Sequence, residues 1–191
     1  ALTDGSLDMA APVSASTATG LNGKDGLTVK EGATTDKVLL AYNDGTDSLL
    51  SDEQARKAFR YQIDAAGIAS AQPDAAGALG GPISLLEPGY EDLTGLYPHD
   101  ENQAGQMFSY FGAQYLTTVN LVVPEEYRSL AETIKQQIER QPRPTVNLEV
   151  LSDEDYAKRI KDGKWELTVM SMDGTDDAGI FADPDSMFHY D

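Results

Sequence analysis

Residues 146–174 of the chain read VNLEVLSDEDYAKRIKDGKWELTVMSMDG, and this stretch decides the fold. Its first five residues alternate apolar and polar side chains, which is typical of a strand. Ser152 then begins a short helix with acidic residues in its first turn, and Gly163 ends it. A second alternating segment follows at residues 165–169. A strand, a short helix and a strand of this size form a βαβ unit, which predicts two parallel strands.

An acidic loop follows this unit directly and includes Asp173, Asp176 and Asp177. Because it comes after a parallel strand, we expect it at the carboxyl end of that strand, where open α/β sheets bind their ligands. A solvated acidic turn has the same sequence pattern, so that interpretation stays open. Calcium binding by these residues and Asp183 is a further alternative, although their spacing does not match an EF-hand loop.

Further strands are predicted on the amino-terminal side of this unit. Residues 38–43 are apolar nearly throughout, which indicates a strand buried on both faces. Residues 27–30 are a second candidate, and residues 7–9 are a third, shorter one. Residues 116–123 supply another strand and are followed by Pro124, which suits the first turn of a helix.

Three helices are predicted beside these strands. Ser51 and Gln54 make a capping box for the first helix, and Gly67 is its expected end. Asp100 begins the second helix, and the third follows Pro124 with one continuous apolar face. With the short helix at Ser152, these elements indicate an α/β domain whose central, mostly parallel sheet is flanked by helices on both faces.

A long segment at residues 68–99 has no clear periodicity and is rich in Ala, Gly and Pro. It contains Gly80-Gly81-Pro82 and, further along, Glu87-Pro88-Gly89-Tyr90. The double glycine is not a phosphate loop, because no Lys-Ser/Thr pair follows it and no strand precedes it. A loop of this length in a compact domain is usually functional or anchored by its own packing.

The bulk composition excludes several classes of protein. The 191 residues are 40% hydrophobic, which is enough for one globular domain with a core. The net charge of −18, from 32 acidic and 14 basic residues, argues against nucleic acid and against anionic lipid as partners. Cysteine is absent, which excludes disulfides and thiolate metal sites. No apolar run is long enough to span a membrane.

Catalytic and metal-binding patterns are weak in this sequence. There is no Gly-x-Ser-x-Gly nucleophile motif, and the carboxylates are too numerous for one acid–base pair to be singled out. The two histidines, His99 and His189, are 90 positions apart, which gives no support to a metal pair. We therefore predict no catalytic residue, no metal site and no cofactor.

The order of several short motifs resembles the peptide/nickel class of extracellular solute-binding proteins, which feed ABC transporters. These motifs are Tyr156, Gly163, the run Trp165-Glu166-Leu167 and the run Asp183-Pro184-Asp185. Residues 52–58 and 61–64 match a helix motif of the same class further upstream. The resemblance extends over nearly the whole chain, from Leu7 to Phe188.

The resemblance implies a periplasmic-binding-protein-like lobe. Residues 1–191 would be a single α/β lobe, the C-terminal one, and the N-terminal lobe would lie elsewhere in the same protein. Such a lobe binds a peptide or another small solute, such as nickel or a sugar, and delivers it to the transporter permease without doing chemistry. It also implies an extracellular or periplasmic location, with the full-length protein anchored as a lipoprotein.

The resemblance also implies a ligand contact in the acidic loop. In that class an Asp after this strand pairs with the α-amino group of a bound peptide, and the match assigns this role to Asp176. Asp173 and Asp177 are its neighbours, and Met172, which flanks the loop, is a fourth candidate. The sequence departs from the class here, because Ser171-Met172 stands where the class has Gly-Trp. Two other functions stay open: a metal-assisted hydrolase that uses the acidic loop, and an acidic protein-interaction domain.

Overall fold

The computed structural model describes residues 2–11, 13–24, 26–110, 117–174, 178–181, 183–184 and 186. The strands are β1 (Lys37–Tyr42), β2 (Thr118–Pro124), β3 (Thr145–Leu151) and β4 (Leu167–Met172). The α-helices are α1 (Ala15–Leu21), α2 (Glu53–Gln62), α3 (Ala65–Ala71), α4 (Glu101–Tyr110), α5 (Arg128–Ile138) and α6 (Asp153–Lys161). Short 3₁₀ turns lie at Glu125–Tyr127 and Ala178–Phe181. No helix in these ranges has the length and apolar character needed to cross a membrane.

The four strands form one sheet in the order β1-β4-β2-β3. Strand β2 runs parallel to both of its neighbours, whereas β1 is antiparallel to β4. The predicted mostly parallel sheet is therefore confirmed, and so is the parallel direction of the two strands on either side of α6. The structure adds that β2 lies between those two strands, so β3 and β4 are not hydrogen-bonded neighbours.

One face of the sheet carries the hydrophobic core. The helices α2, α4 and α5 cover this face, and the ring of Phe59 from α2 meets Phe108 from α4 edge-on, with 5.1 Å between centroids. The sheet supplies the buried side chains Val119, Leu121, Val123, Val146, Leu167 and Val169. These positions alternate along each strand, as the period of a strand requires when one face packs on helices.

Helix α6 covers the opposite face, where it makes several polar contacts. The Thr168 hydroxyl, which is fully buried, donates to the Val122 carbonyl at 2.7 Å. The Tyr156 hydroxyl lies 2.9 Å from the same Thr168 oxygen and is therefore the donor in that pair. Arg159 of α6 also pairs with Glu149 of β3 at 2.9 Å. Helices thus flank both faces, as the sequence predicted.

Four strand predictions are wrong in detail. Residues 38–43 are not buried on both faces, because β1 is an edge strand and Val38 is 52% exposed. Residues 7–9 and 27–30 form no strand, because neither short apolar segment gains a sheet neighbour in the fold. Strand β4 begins at Leu167 rather than at Trp165, whose indole N–H instead donates to the Ile160 carbonyl at 3.3 Å. Trp165 therefore belongs to the connection from α6 and closes its last turn.

The helix predicted from Ser51 to Gly67 is two helices in the structure. Its N-cap is Asp52, whose carboxylate accepts from the Gln54 N–H at 2.8 Å, and not Ser51. The chain leaves the helical conformation after Gln62, and Asp64 then caps α3 by accepting from the Gly67 N–H at 2.8 Å. An Asp side chain competes with the helix for backbone N–H groups, which explains the break.

A hydrogen-bond network of three glutamine side chains connects three helices. Gln62 is fully buried and its amide donates to the Gln137 carbonyl at 2.6 Å. Gln141 donates to the Gln62 side-chain oxygen at 2.9 Å and to the Glu101 carbonyl at 2.8 Å. The Gln137 side chain in turn accepts from the Asp64 N–H at 2.8 Å. This network connects the ends of α2, α4 and α5.

The substitution Gln62→Met tests this network, because it keeps the length of the side chain and removes both hydrogen bonds. We expect the free energy of unfolding to fall by about 1–3 kcal/mol, since polar partners stay buried without a hydrogen bond. Urea unfolding followed by circular dichroism measures the change. Gln136→Met, at an exposed position on α5, is the matched control and should shift the midpoint little. Equal midpoints for the two variants would contradict the assignment.

Candidate functional site

The carboxyl ends of β2, β3 and β4 lie at the same edge of the sheet, because these strands are parallel. Acidic residues follow each of them: Glu125 and Glu126 follow β2, the first turn of α6 follows β3, and Asp173 follows β4. Strand β1 is antiparallel, so it begins at this edge with Lys37. The edge where open α/β sheets bind ligands is therefore acidic.

The predicted site residues fall into two groups. Met172 and Asp173 lie at the end of β4, where the sequence placed them. Met172 is buried with 8% of its surface exposed, whereas Asp173 is exposed. Asp176 and Asp177 lie outside the described residues. The structure therefore locates the start of the acidic loop, and the assignment of a ligand contact to these four residues stays a prediction.

The segment before β1 packs against the start of the acidic loop. Lys37 is the register partner of Met172, so the residues before it run beside the residues after Met172. A Cβ atom on Gly174 would overlap the Thr35 side chain, so the two residues are packed in direct contact. Because glycine has no side chain, the backbone that follows β4 can pass this close to Thr35.

A buried ion pair joins this corner of the sheet to the long loop. The Lys37 ammonium group contacts the Glu87 carboxylate, and their side chains are only 2% and 1% exposed. The same carboxylate accepts from the Ser84 N–H at 2.7 Å. Buried charges are unfavourable unless they are paired, so this contact holds the loop on the strand.

Sequence reasoning missed Lys37, Ser84 and Glu87 as members of this corner. The turn residues around Gly80 and Pro88 indicated the long loop, and the apolar run at residues 38–43 indicated the strand. Nothing in the local pattern indicated that Glu87 reaches a lysine 50 positions earlier. Such a contact depends on the packing of the loop rather than on periodicity.

Within the described ranges, no group of three His, Asp or Glu side chains is placed to hold a metal ion. His99 lies 3.6 Å from Glu101 in a partly exposed pair. The alternative of calcium binding depends partly on Asp176 and Asp177. The alternative of a metal-assisted hydrolase depends on the same acidic loop. Both residues, like His189, lie outside the described part of the chain.

An open groove of about 470 Å³ lies at the other edge of the sheet. It is lined by polar residues of α4, including Asn102 and Gln106, and by Gln141 after α5. Helix α5 runs back from the carboxyl edge, so its end and this groove lie at the amino ends of the strands. The groove is therefore distant from the acidic loop and from the edge where this fold class binds ligands.

Comparisons with known proteins identify the family. The family model described as bacterial extracellular solute-binding proteins, family 5 Middle, matches residues 1–190. No curated protein sequence matches the chain. Several solved structures share its fold at low sequence identity.

Three of these structures illustrate the similarity. HbpA2 from Haemophilus parasuis has a TM-score of 0.75 at 17% identity, over 90% of this chain and 35% of its own. NikA from Staphylococcus aureus in complex with Ni(L-His)2 has a TM-score of 0.71 at 19% identity, over 92% and 39%. DppA from Helicobacter pylori in complex with peptide STSA has a TM-score of 0.71 at 16% identity, over 87% and 33%. The chain thus spans little more than a third of the length of these proteins.

Removing one partner of the buried ion pair tests its role at this corner. Lys37→Met leaves the Glu87 carboxylate buried without its cation, so we expect the free energy of unfolding to fall by about 3–5 kcal/mol. The double variant Lys37→Met/Glu87→Gln removes both charges and should recover most of this loss. Urea unfolding of the three proteins measures both effects.

The partly exposed pair of Lys57 and Glu53 on α2, with side chains 29% and 60% accessible, provides a control. Because water screens this pair, Lys57→Met should change the free energy of unfolding by less than about 1 kcal/mol. If Lys37→Met were no more destabilising than Lys57→Met, the ion pair would not hold the loop in place.

Proposed function

The chain belongs to the family 5 bacterial extracellular solute-binding proteins, and on this basis we propose that residues 1–191 form the C-terminal lobe of a larger, two-lobed protein. The family match over residues 1–190 carries this proposal. The length of the similar solved structures supports it, because this chain corresponds to about a third of each. A lobe of this kind closes with its partner lobe around a solute.

Peptide is the solute that we propose. The exposed Asp173 begins an acidic loop at the carboxyl edge of the sheet, and an acidic site suits a ligand with a positively charged end. The α-ammonium group of a peptide has this property. DppA, which is similar in fold, was solved with a peptide bound, and this supports the choice. NikA, also similar in fold, holds a nickel–histidine complex, which makes nickel the solute to test against peptide.

The proposed role is binding and delivery without chemistry. The solute passes unchanged to the permease of an ABC transporter, and the protein acts outside the cell, anchored by a lipid in its full-length form. The family supports the extracellular location, and the lipid anchor is part of the proposal. Mass spectrometry of a bound peptide before and after incubation separates this role from hydrolysis, which would release shorter products.

The lobe proposal predicts different behaviour for the chain alone and for the full-length protein. Calorimetry with a peptide mixture should show binding by the full-length protein. Residues 1–191 alone should give no measurable heat at micromolar protein, because half of the contacts and the exclusion of water are lost. Tight binding by the isolated chain would contradict a shared site between two lobes.

Within the acidic loop we propose that Asp176 pairs with the α-ammonium group of the peptide, next to Asp173 and Asp177. Asp176→Asn in the full-length protein removes the charge and nearly keeps the shape. We expect a loss of ~30-fold or more in affinity, since breaking a desolvated charge pair costs roughly 2–5 kcal/mol. Acetylating the peptide amine should cost a similar factor, and the two losses should not add, because they break one contact.

Glu132→Gln, an exposed acid on α5, is the control and should leave the affinity unchanged. The comparison should be repeated at higher salt, because a rim charge has a small effect that salt screens. An Asn variant with full affinity at moderate salt would remove Asp176 from the site, and Asp173 would be the next residue to replace.

A further inference from the structure

The long loop closes on itself between residues 80 and 94. A Cβ atom on Gly80 would overlap the backbone of Leu93 and Thr94, so the two ends of this segment are in direct contact. Arg60 of α2 holds the same end, because its guanidinium donates to the Gly80 carbonyl at 2.9 Å. A compact segment with touching ends is an Ω-loop, a type of loop that is frequently functional. We call residues 80–94 the Ω-loop.

The tip of the Ω-loop is a β-turn with two exposed leucines. The Glu87 N–H donates to the Ser84 carbonyl at 3.0 Å, and the Ser84 N–H donates to the Glu87 carboxylate at 2.7 Å. Leu85 and Leu86 are the two central residues of this turn, with 69% and 55% of their surface exposed. The turn is closed by two hydrogen bonds, and Glu87 is held by Lys37. Both leucines are therefore presented to solvent at a fixed position.

Leucine is an unusual residue type at this position. The centre of a turn normally takes Gly, Pro, Asn, Asp or Ser, because these residues suit its backbone angles or satisfy its polar groups. Two adjacent leucines at a turn tip add nothing to the core and leave apolar surface in water. An exposed apolar pair that is held on a hydrogen-bonded turn is a candidate binding surface.

The ion pair fixes this turn to the corner of the sheet where β4 ends. Lys37 lies opposite Met172, and the next residue along β4 is Asp173. The Ser84 side chain, at the start of the turn, is 5% exposed, and its hydroxyl has no hydrogen-bond partner among the described residues.

We infer that Leu85 and Leu86 form an apolar wall of the solute site and select peptides that carry an aliphatic side chain. This inference rests on the proposed function and adds a solute preference to it. The exposed Asp173 attracts the ammonium end of a peptide, and the leucines remove an adjacent aliphatic side chain from water. Because the turn is rigid before the solute arrives, little conformational freedom is lost on binding.

The test compares four tripeptides on the full-length protein by calorimetry. The reference is Ala-Ala-Ala, and each of the other three has Leu at one of its positions. We expect the unsubstituted protein to bind at least one Leu peptide roughly tenfold more tightly than Ala-Ala-Ala, which is the effect of burying one such side chain. In Leu85→Ala/Leu86→Ala this preference should disappear, while the affinity for Ala-Ala-Ala changes by less than about twofold.

The control is Leu49→Ala/Leu96→Ala, two leucines of similar exposure at 48% and 57% outside the Ω-loop. This variant should keep the preference, and thermal unfolding should show that both variants are folded. A preference that survives in Leu85→Ala/Leu86→Ala overturns the inference.

Three other outcomes also overturn it. An equal loss for all four peptides would mean that the leucines contact the other lobe rather than the solute. If the unsubstituted protein bound tripeptides without preferring Leu, the aliphatic selection would be wrong while the proposed function stood. Failure of the unsubstituted protein to bind any of the four peptides would instead remove tripeptides as solutes, and the inference with them.

Discussion

Strand β2 is the element on which the rest of the sheet depends, because it has a parallel neighbour on each side and is buried on both faces. Val119, Leu121, Val122 and Val123 are fully buried. The chain moves from β2 to β3 on one side and then from β3 to β4 on the other. If both crossovers share the right-handed sense, their helices must lie on opposite faces, and α5 and α6 do so. This arrangement brings three carboxyl ends, and the loops that follow them, to one edge.

The antiparallel direction of β1 brings a basic residue to that acidic edge. Lys37 would be at the opposite edge if β1 were parallel, and Glu87 would then need another partner. A charged side chain that is buried away from water is strongly unfavourable without an opposite charge, so Lys37 and Glu87 stabilise the contact between strand and loop only as a pair. The ion pair thus serves two neighbouring segments, because it orders the Ω-loop beside the residues that lead into the acidic loop.

Much of the acidity at the carboxyl edge has a structural cause. Helices begin at this edge, and the positive end of a helix dipole favours acids in the first turn. Glu125, Glu126 and the three acids at the start of α6 occupy such positions. Asp173 is different, because it directly follows strand β4. Helix capping does not explain its presence, so Asp173 fits either a solvated turn or the cationic-group recognition proposed above.

The sequence by itself determined the features that depend on neighbouring residues. Ser152 as a helix cap, Gly163 as a helix end and the alternation along β3 were all predicted, because caps and periodicity are local. The Asp100 cap and the mostly parallel sheet followed in the same way, from side-chain chemistry and from the length of the crossovers.

Only the tertiary structure decided which distant segments meet. It placed β2 between β3 and β4, rejected residues 27–30 as a strand, and brought Glu87 to Lys37. Each of these outcomes depends on which of several distant segments pairs most favourably with a given strand or charge. Desolvation and packing over the whole fold decide that choice. Local patterns carry no record of that competition, which is why the acidic loop was visible in the sequence and the ion pair beside it was not.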